Sequence, residues 1–394
     1  MDINKRKIFK FILLIILVIF CICSFIFLYK HNKKNVVMER KIESILDFGN
    51  AIVSNNNGYV IVGSNNKNNS SFEKAKISYY DSNNQKYLEK VYNKGYNSTF
   101  FDVIGDEDSY VAVGSFESNK REQKNSSRTA LIVKYDKSGN VVFENDFQVI
   151  SNSGYNSIIS MVDGYVVCGY SINTETDEAN SGAVLIKYDK SGEEIWRRYT
   201  GNDHAVYNNL IYHDGFIYAV GVDNNIGILS IFDVDGNLIR DTYYHNMDDD
   251  GFSSIIADDN YLYVSGGKIV DNNKYAFIAT YDFNGNFIDE VVYNKENTRY
   301  TNMNFDNNGN IIVIGSLNAL EEDNTYNENG IIGKYNTELK ELSVIKYNSD
   351  KQVTFNDILI NNNKYSVLSN VYNDLKNVNN KLLYFSTSLK TLGG

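Results

Sequence analysis

The sequence predicts an all-β protein: a seven-bladed β-propeller of four-stranded antiparallel blades, closed by an N-terminal strand and preceded by one N-terminal transmembrane helix. Three observations predict it. An apolar phrase ending in glycine recurs at intervals of 45–55 residues. A turn phrase, as in "KYDKSG", follows it at a similar offset in successive units. A single apolar run occupies residues 8–29. A fixed period of this size is the signature of a propeller or a solenoid.

The N-terminal run comes first. Residues 8–29 carry no charge except Lys10, a length that spans a bilayer as a helix. No small-x-small cleavage site follows it, and Phe20 and Ile22 stand where a lipoprotein signal needs small residues. The segment therefore reads as an uncleaved signal anchor. Residues 1–7 form a short cytoplasmic tail, 30–35 a linker, and 36–394 the propeller on the extracytoplasmic side of the cell membrane.

The repeat gives each blade four strands. The second is the phrase "GYVIVGS" (58–64), which returns as "SYVAVGS", "GYVVCGY", "FIYAVGV", "YLYVSGG", "NIIVIGS" and the degenerate "KYSVLSN". Its glycines are Gly63, Gly114, Gly169, Gly221, Gly266 and Gly315, with Ser369 in the seventh place. The third strand closes in "KYD" or a variant of it, and the fourth follows the turn. In that turn Asp136, Asp189, Asp233 and Asp282 bond forward along the backbone, and Gly139, Gly192, Gly236 and Gly285 supply a positive φ. The seventh unit ends before a fourth strand, so "NVVMERKI" (35–42) is expected to fill that place. Closure of this kind removes an unpaired sheet edge. The long insertions, such as 64–76 and 117–128, are polar and fall between second and third strands, so they emerge at one face.

The unit "G-Y-V-V-x-G … L-I-K-Y-D-x-x-G-x-x-x-W" resembles the β-propeller repeats of bacterial secreted and surface proteins, over nearly all of 36–394. It is also similar, more distantly, to the tryptophan-docking repeats of quinoprotein-type propellers, although only one unit keeps the tryptophan, Trp196. The resemblance implies a fold and no particular activity.

Candidate ligand-binding residues come from the opening strands. Their aromatics align as Phe48, Phe100, Tyr155, Tyr207, Phe252, Tyr300 and Phe355. Two residues on stand Asn50, Asp102, Ser157, Asn209, Ser254, Asn302 and Asp357, all small and polar. The innermost strands of a propeller line its central channel, so these seven groups form a ring there. The ring can hold a cation, a sugar or water, or its members can tie neighbouring blades together.

Other chemistry is sparse. The four histidines show no metal-ligand spacing, and there is no nucleophile elbow, phosphate loop or Cys–His pair. The acidic "HNMDDDG" (245–251) matches no EF-hand. Cys168 stands alone outside the apolar run, so no disulfide framework exists, and it reads as a small core residue. The formal net charge of −11 disfavours nucleic acid. These features imply no cofactor, no metal and no named catalytic residue. They point to a binding or scaffolding module for a protein or cell-surface carbohydrate. The alternative is a carbohydrate-active hydrolase or lyase using funnel carboxylates, since such chemistry needs only two.

Overall fold

A computed structural model describes residues 36–386 and 389, apart from 46, 56, 66–71, 119–126, 148–151, 173–180, 245–250, 321–325, 348, 350, 362–363 and 375–376. The predicted span 8–29 and the acidic stretch Asp248–Asp250 lie outside the described residues. No helix among the described residues is long and apolar enough to cross a membrane.

Strand β1 (Val36–Ile45) is followed by 27 more, and all 28 fall into seven four-stranded sheets. Six sheets run in chain order, from β2 (Asp47–Asn55), β3 (Gly58–Asn65), β4 (Lys74–Asp81) and β5 (Lys86–Val91) to β22 (Thr298–Phe305), β23 (Ile311–Leu320), β24 (Tyr326–Tyr335) and β25 (Glu341–Lys346), and in the seventh β1 is followed by β28 (Asn377–Ser386), β27 (Lys364–Asp374) and β26 (Gln352–Asn361). The first strands of blades 1–7 are β2 (Asp47–Asn55), β6 (Tyr96–Asp106), β10 (Asn152–Met161), β14 (Val206–His213), β18 (Phe252–Ala257), β22 (Thr298–Phe305) and β26 (Gln352–Asn361). All pairings are antiparallel. Antiparallel alternation puts the first-to-second and third-to-fourth turns of every blade at one end, the turn end. The second-to-third loops lie at the other, the loop end.

The core sits between blades, and every junction has its own apolar cluster. Between blades 1 and 2 it holds Val60, Val62 and Ile77 against Phe100, Val103 and Ala112. Between blades 7 and 1 it holds Leu368, Leu382 and Tyr384 against Ile52, Tyr59 and Ile61. The first and last blades thus pack on each other as the others do.

The repeated phrases now have physical causes. In the turn, the Asp136 carboxylate accepts from the amides of Ser138 and Asn140 (both 2.8 Å), and the amide of Gly139 donates to the Asp136 carbonyl. Gly139 has φ 72°, as the sequence requires. That turn also serves the preceding blade, because its glycine has no side chain to hold a neighbour off. The Trp196 ring lies against Gly236 of blade 4, and its Nε1–H donates to the Val234 carbonyl (3.2 Å). Phe143 lies against Gly192 in the same way one junction earlier. Trp196→Ala removes a half-buried ring and its hydrogen bond, and is expected to cost about 2 kcal/mol in denaturant unfolding.

The lysine of "KYD" and the tyrosine of "GYV" meet across a junction. Lys334 Nζ lies 2.8 Å from Asp306 and 3.2 Å from the Tyr365 hydroxyl, which itself donates to Asp306 (2.8 Å). Lys134, Asp106 and Tyr165 repeat the arrangement between blades 2 and 3, with Lys190 as a further donor to Asp106. Each clamp joins the carboxylate and lysine of one blade to the tyrosine of the next.

Candidate binding site in the central channel

Every first strand carries a β-bulge at the same structural position, the last residue-pair before it lying opposite the repeat glycine or, in blade 7, Ser369. A bulge re-aims side chains, and here it splits the channel wall into two belts.

The first belt is made by the bulged residues. Asn50 donates to the Phe100 carbonyl (2.7 Å), Asn156 to Tyr207 (2.8 Å), Asn208 to Phe252 (2.7 Å), Thr301 to Phe355 (3.2 Å) and Asn356 to Gly49 (2.6 Å). Each bond runs from one blade to the backbone of the next, and the last runs from blade 7 to blade 1. Phe101 occupies the position in blade 2. In blade 5 it is Ser253, whose hydroxyl accepts two bonds from the Arg299 guanidinium (3.1 and 2.8 Å). Burial pushes Arg299 below its usual range.

The second belt contains six of the seven residues expected from sequence. Asp102 accepts from the Ser157 hydroxyl (2.7 Å) and the Ile158 amide (3.0 Å), and Asn209 Nδ2 donates to Ser157 (3.2 Å). Asn209 in turn accepts from the Ile255 amide (3.1 Å). Ser254 donates to Asn302 (3.3 Å), Asn302 donates to Asp357 (2.8 Å), and Asp357 accepts the Ile52 amide (2.7 Å).

Asn50 is the exception. In blade 1 the residues flanking the bulge are Gly49, opposite Gly63, and Ala51, opposite Val62. The equivalent pairs in blade 2 are Phe100–Gly114 and Asp102–Val113. Blade 1 is therefore offset by one residue from the sequence alignment. Phe48 corresponds to Thr99 rather than Phe100, and the second belt has Ala51 where Asn50 was expected. A bulge breaks the two-residue alternation, so counting from an aromatic residue misplaces the blade whose aromatic sits one position earlier.

Ala51 matters to the electrostatics, because it stands between the blades that carry Asp357 and Asp102. Burial pushes the Asp357 carboxyl up to about 7, and the neighbouring Asp102 charge adds to the rise. Burial raises Asp102 as well, against the hydrogen bonds it accepts. Both remain half-buried, as expected for side chains on a channel wall. Among the described residues no group of three His, Cys, Asp or Glu is placed to hold a metal ion.

Toward the loop end the channel wall opens into a pocket of about 350 Å³ between blades 6, 7 and 1. Amide and hydroxyl groups of Asn50, Thr301, Thr354 and Asn356 line it beside the rings of Phe48 and Tyr372, whose centroids are 6.4 Å apart. Of the bulged residues in this lining Asn50 was among the candidates read from sequence, whereas Thr301 and Asn356 were not. Their trace was the polar residue between the aromatic and the small polar one, as in "YNS", "YNN" and "FND".

No family model matches the chain, and no curated protein matches it in sequence. Among solved structures it is similar to the Dos1 propeller, with a TM-score of 0.50 at 12% identity, over 89% of this chain and 94% of that one. It is also similar to a protein assigned as a 6-phosphogluconolactonase from Bacteroides fragilis, with a TM-score of 0.47 at 12% identity, over 76% and 84% of the two chains. At 12% identity the likeness to the Dos1 propeller bears on the fold and not on the activity.

Proposed function

We propose that this chain is a membrane-anchored, extracytoplasmic binding or scaffolding module whose partner is a cell-surface carbohydrate or a protein. One observation carries the binding reading. The carboxylates deep in the channel are enclosed in blade-to-blade hydrogen bonds, whereas the pocket nearer the loop end adds open space, two aromatic rings and the Glu328 carboxylate to polar groups of which Asn50, Thr301 and Asn356 also donate between blades. That chemistry suits an uncharged polyhydroxyl ligand, with rings under the sugar face and the Glu328 carboxylate and remaining polar groups at its hydroxyls. In this reading residues 36–45 close the ring. The antiparallel register of β1 on β28 (Asn377–Ser386), with Val36 opposite Phe385 and Arg40 opposite Leu382, supports closure.

The test is a thermal-unfolding screen of the full-length protein against neutral oligosaccharides and divalent cations. A ligand that binds only the folded state at 100 times its Kd adds about 2.7 kcal/mol. The expected result is a shift with an oligosaccharide that Tyr372→Ala abolishes. A flat response across the saccharides would remove the carbohydrate from the reading. The hydrolase or lyase alternative rests on the Asp357 carboxyl, held near neutral pH and so suited to proton donation. It requires saccharide cleavage by the wild type that Asp357→Asn eliminates.

A further inference from the structure

We propose that the turn end of the propeller docks on the surface of the lipid bilayer, resting on the anchor reading above for the identity of that membrane. The first observation is where the exposed apolar side chains lie. Of the fifteen large apolar side chains exposed among the described residues, only Tyr243, Ile269 and Val270 lie at the loop end. The other twelve are at the turn end.

The pattern is regular. At the start of the fourth strand, six residues beyond the turn Asp (Asn336 in blade 6), blades 1–6 present Tyr87, Val142, Ile195, Ile239, Ile288 and Leu342. These six are 45–60% exposed. A position that is solvent-exposed and apolar in six successive blades, on a chain rich in Asn and Lys, is not scattered surface composition. The second-to-third loops are polar in sequence: segments 66–71, 119–126 and 321–325 contain no apolar residue and 173–180 only Ala179, although the fourth-to-first connections carry Val149, Ile150 and Met247. Between blades 4 and 5 the turn end also opens a groove of about 370 Å³, lined by Phe216, Ile239 and Phe283.

The second observation is independent of the first. β28 is the third strand of blade 7, so it finishes at the turn end. Val36 is opposite Phe385, near that finish, and Ile45 is opposite Asn379, near the start of β28. β1 therefore enters the propeller from the turn end. Only residues 30–35 separate it from the apolar run 8–29. Six extended residues reach about 20 Å. A tether of that length holds the apolar end, and not the polar loops, toward the membrane. Tyrosine and aliphatic side chains are suited to the headgroup region.

Charge makes the inference more specific. Glu107 and Asp214 in first-to-second turns and Asp233, Asp235 and Asp282 in third-to-fourth turns lie at this same end, while Asp108 and Asp163 there are paired with Lys137 and Lys187. Docking is therefore apolar and favours zwitterionic over anionic lipid.

The experiment uses the full chain in phosphatidylcholine vesicles. Cys21 and Cys23 are replaced by Ser, and Cys168 is buried and unreactive to label. One bimane label is placed at Ile239→Cys or at Tyr243→Cys, opposite ends of β17 (Leu238–Tyr243). Flotation after carbonate washing reports the anchor, and quenching by spin-labelled phosphatidylcholine reports docking. The expected result is at least twofold stronger quenching at Ile239→Cys than at Tyr243→Cys, reduced by phosphatidylglycerol and by Tyr87→Glu/Ile195→Glu/Ile288→Glu without loss of flotation. Equal quenching at both positions in a chain that floats would overturn the docking while leaving the anchor. A chain that does not float would overturn both. Concentration-dependent shielding of Ile239→Cys in detergent, with a dimer in sedimentation, would assign this face to a second copy instead.

Discussion

Gly169→Ala is expected to destabilise the protein by about 3 kcal/mol, although it adds a single methyl to an interior strand. A Cβ at this position would lie 1.9 Å from the Gly154 carbonyl oxygen, so strand or bulge must move. The same contact is 1.8 Å at Gly63, 2.0 Å at Gly114 and 1.9 Å at Gly221. The glycine of the repeat therefore exists because the bulged first strand approaches the second too closely for a side chain. Blade 7 carries Ser369 and makes room for it, with the hydroxyl donating to the Lys381 carbonyl (3.0 Å). Chemical denaturation of Gly169→Ala, with Ser369→Gly as the control, checks this. Equal and small losses in both would refute the explanation.

Asp306→Ala is expected to cost about 4 kcal/mol. Removing the carboxylate takes the Asp306 ion pair from the buried Lys334 ammonium and an acceptor from Tyr365. Lys334→Met/Asp306→Leu, which removes both charges, is expected to lose much less than the single variant. The pH dependence has a definite sign. The Lys334 ammonium and the hydrogen bonds that the Asp306 carboxylate accepts from Asn310, Tyr365 and Asn308 hold Asp306 down to about 2 against the burial that opposes them. An acid whose folded pKa is depressed stabilises fully above its unfolded value, near 4, and this is lost as pH falls toward 2. Asp306→Ala is therefore expected to show a shallower fall in stability across that window. A parallel fall in wild type and variant would place the source of acid sensitivity elsewhere.

The blade count, the strand order and the turn chemistry were legible in the sequence because each depends on local pattern. Apolar alternation, the Asp and Gly of the turn, and the repeat glycine all occur within a few residues of what they control. The clamps were not legible, since Asp306, Lys334 and Tyr365 meet only when blades 6 and 7 pack. The channel belt was read in six blades and offset in the first, because the bulge that sets it leaves no residue type of its own. Asn50 was placed in the ring when its amide belongs to the belt that holds blade 2.

The central claim is that the channel carboxylates bind the blades to one another. Asp357 tests it most directly, because burial between blades 7 and 1, where it accepts the Ile52 amide, raises its carboxyl to about 7 against the lowering effect of that bond. An acid whose folded pKa exceeds its unfolded value loses stability as pH rises between the two, here from about 4 to about 7. The measurement is urea unfolding of full-length wild type and Asp357→Asn at intervals from pH 5 to pH 8. The account predicts that the wild type weakens over this range relative to Asp357→Asn, with the difference levelling off above pH 7. Parallel curves for the two proteins would mean that the Asp357 carboxyl titrates as in water, and would contradict it.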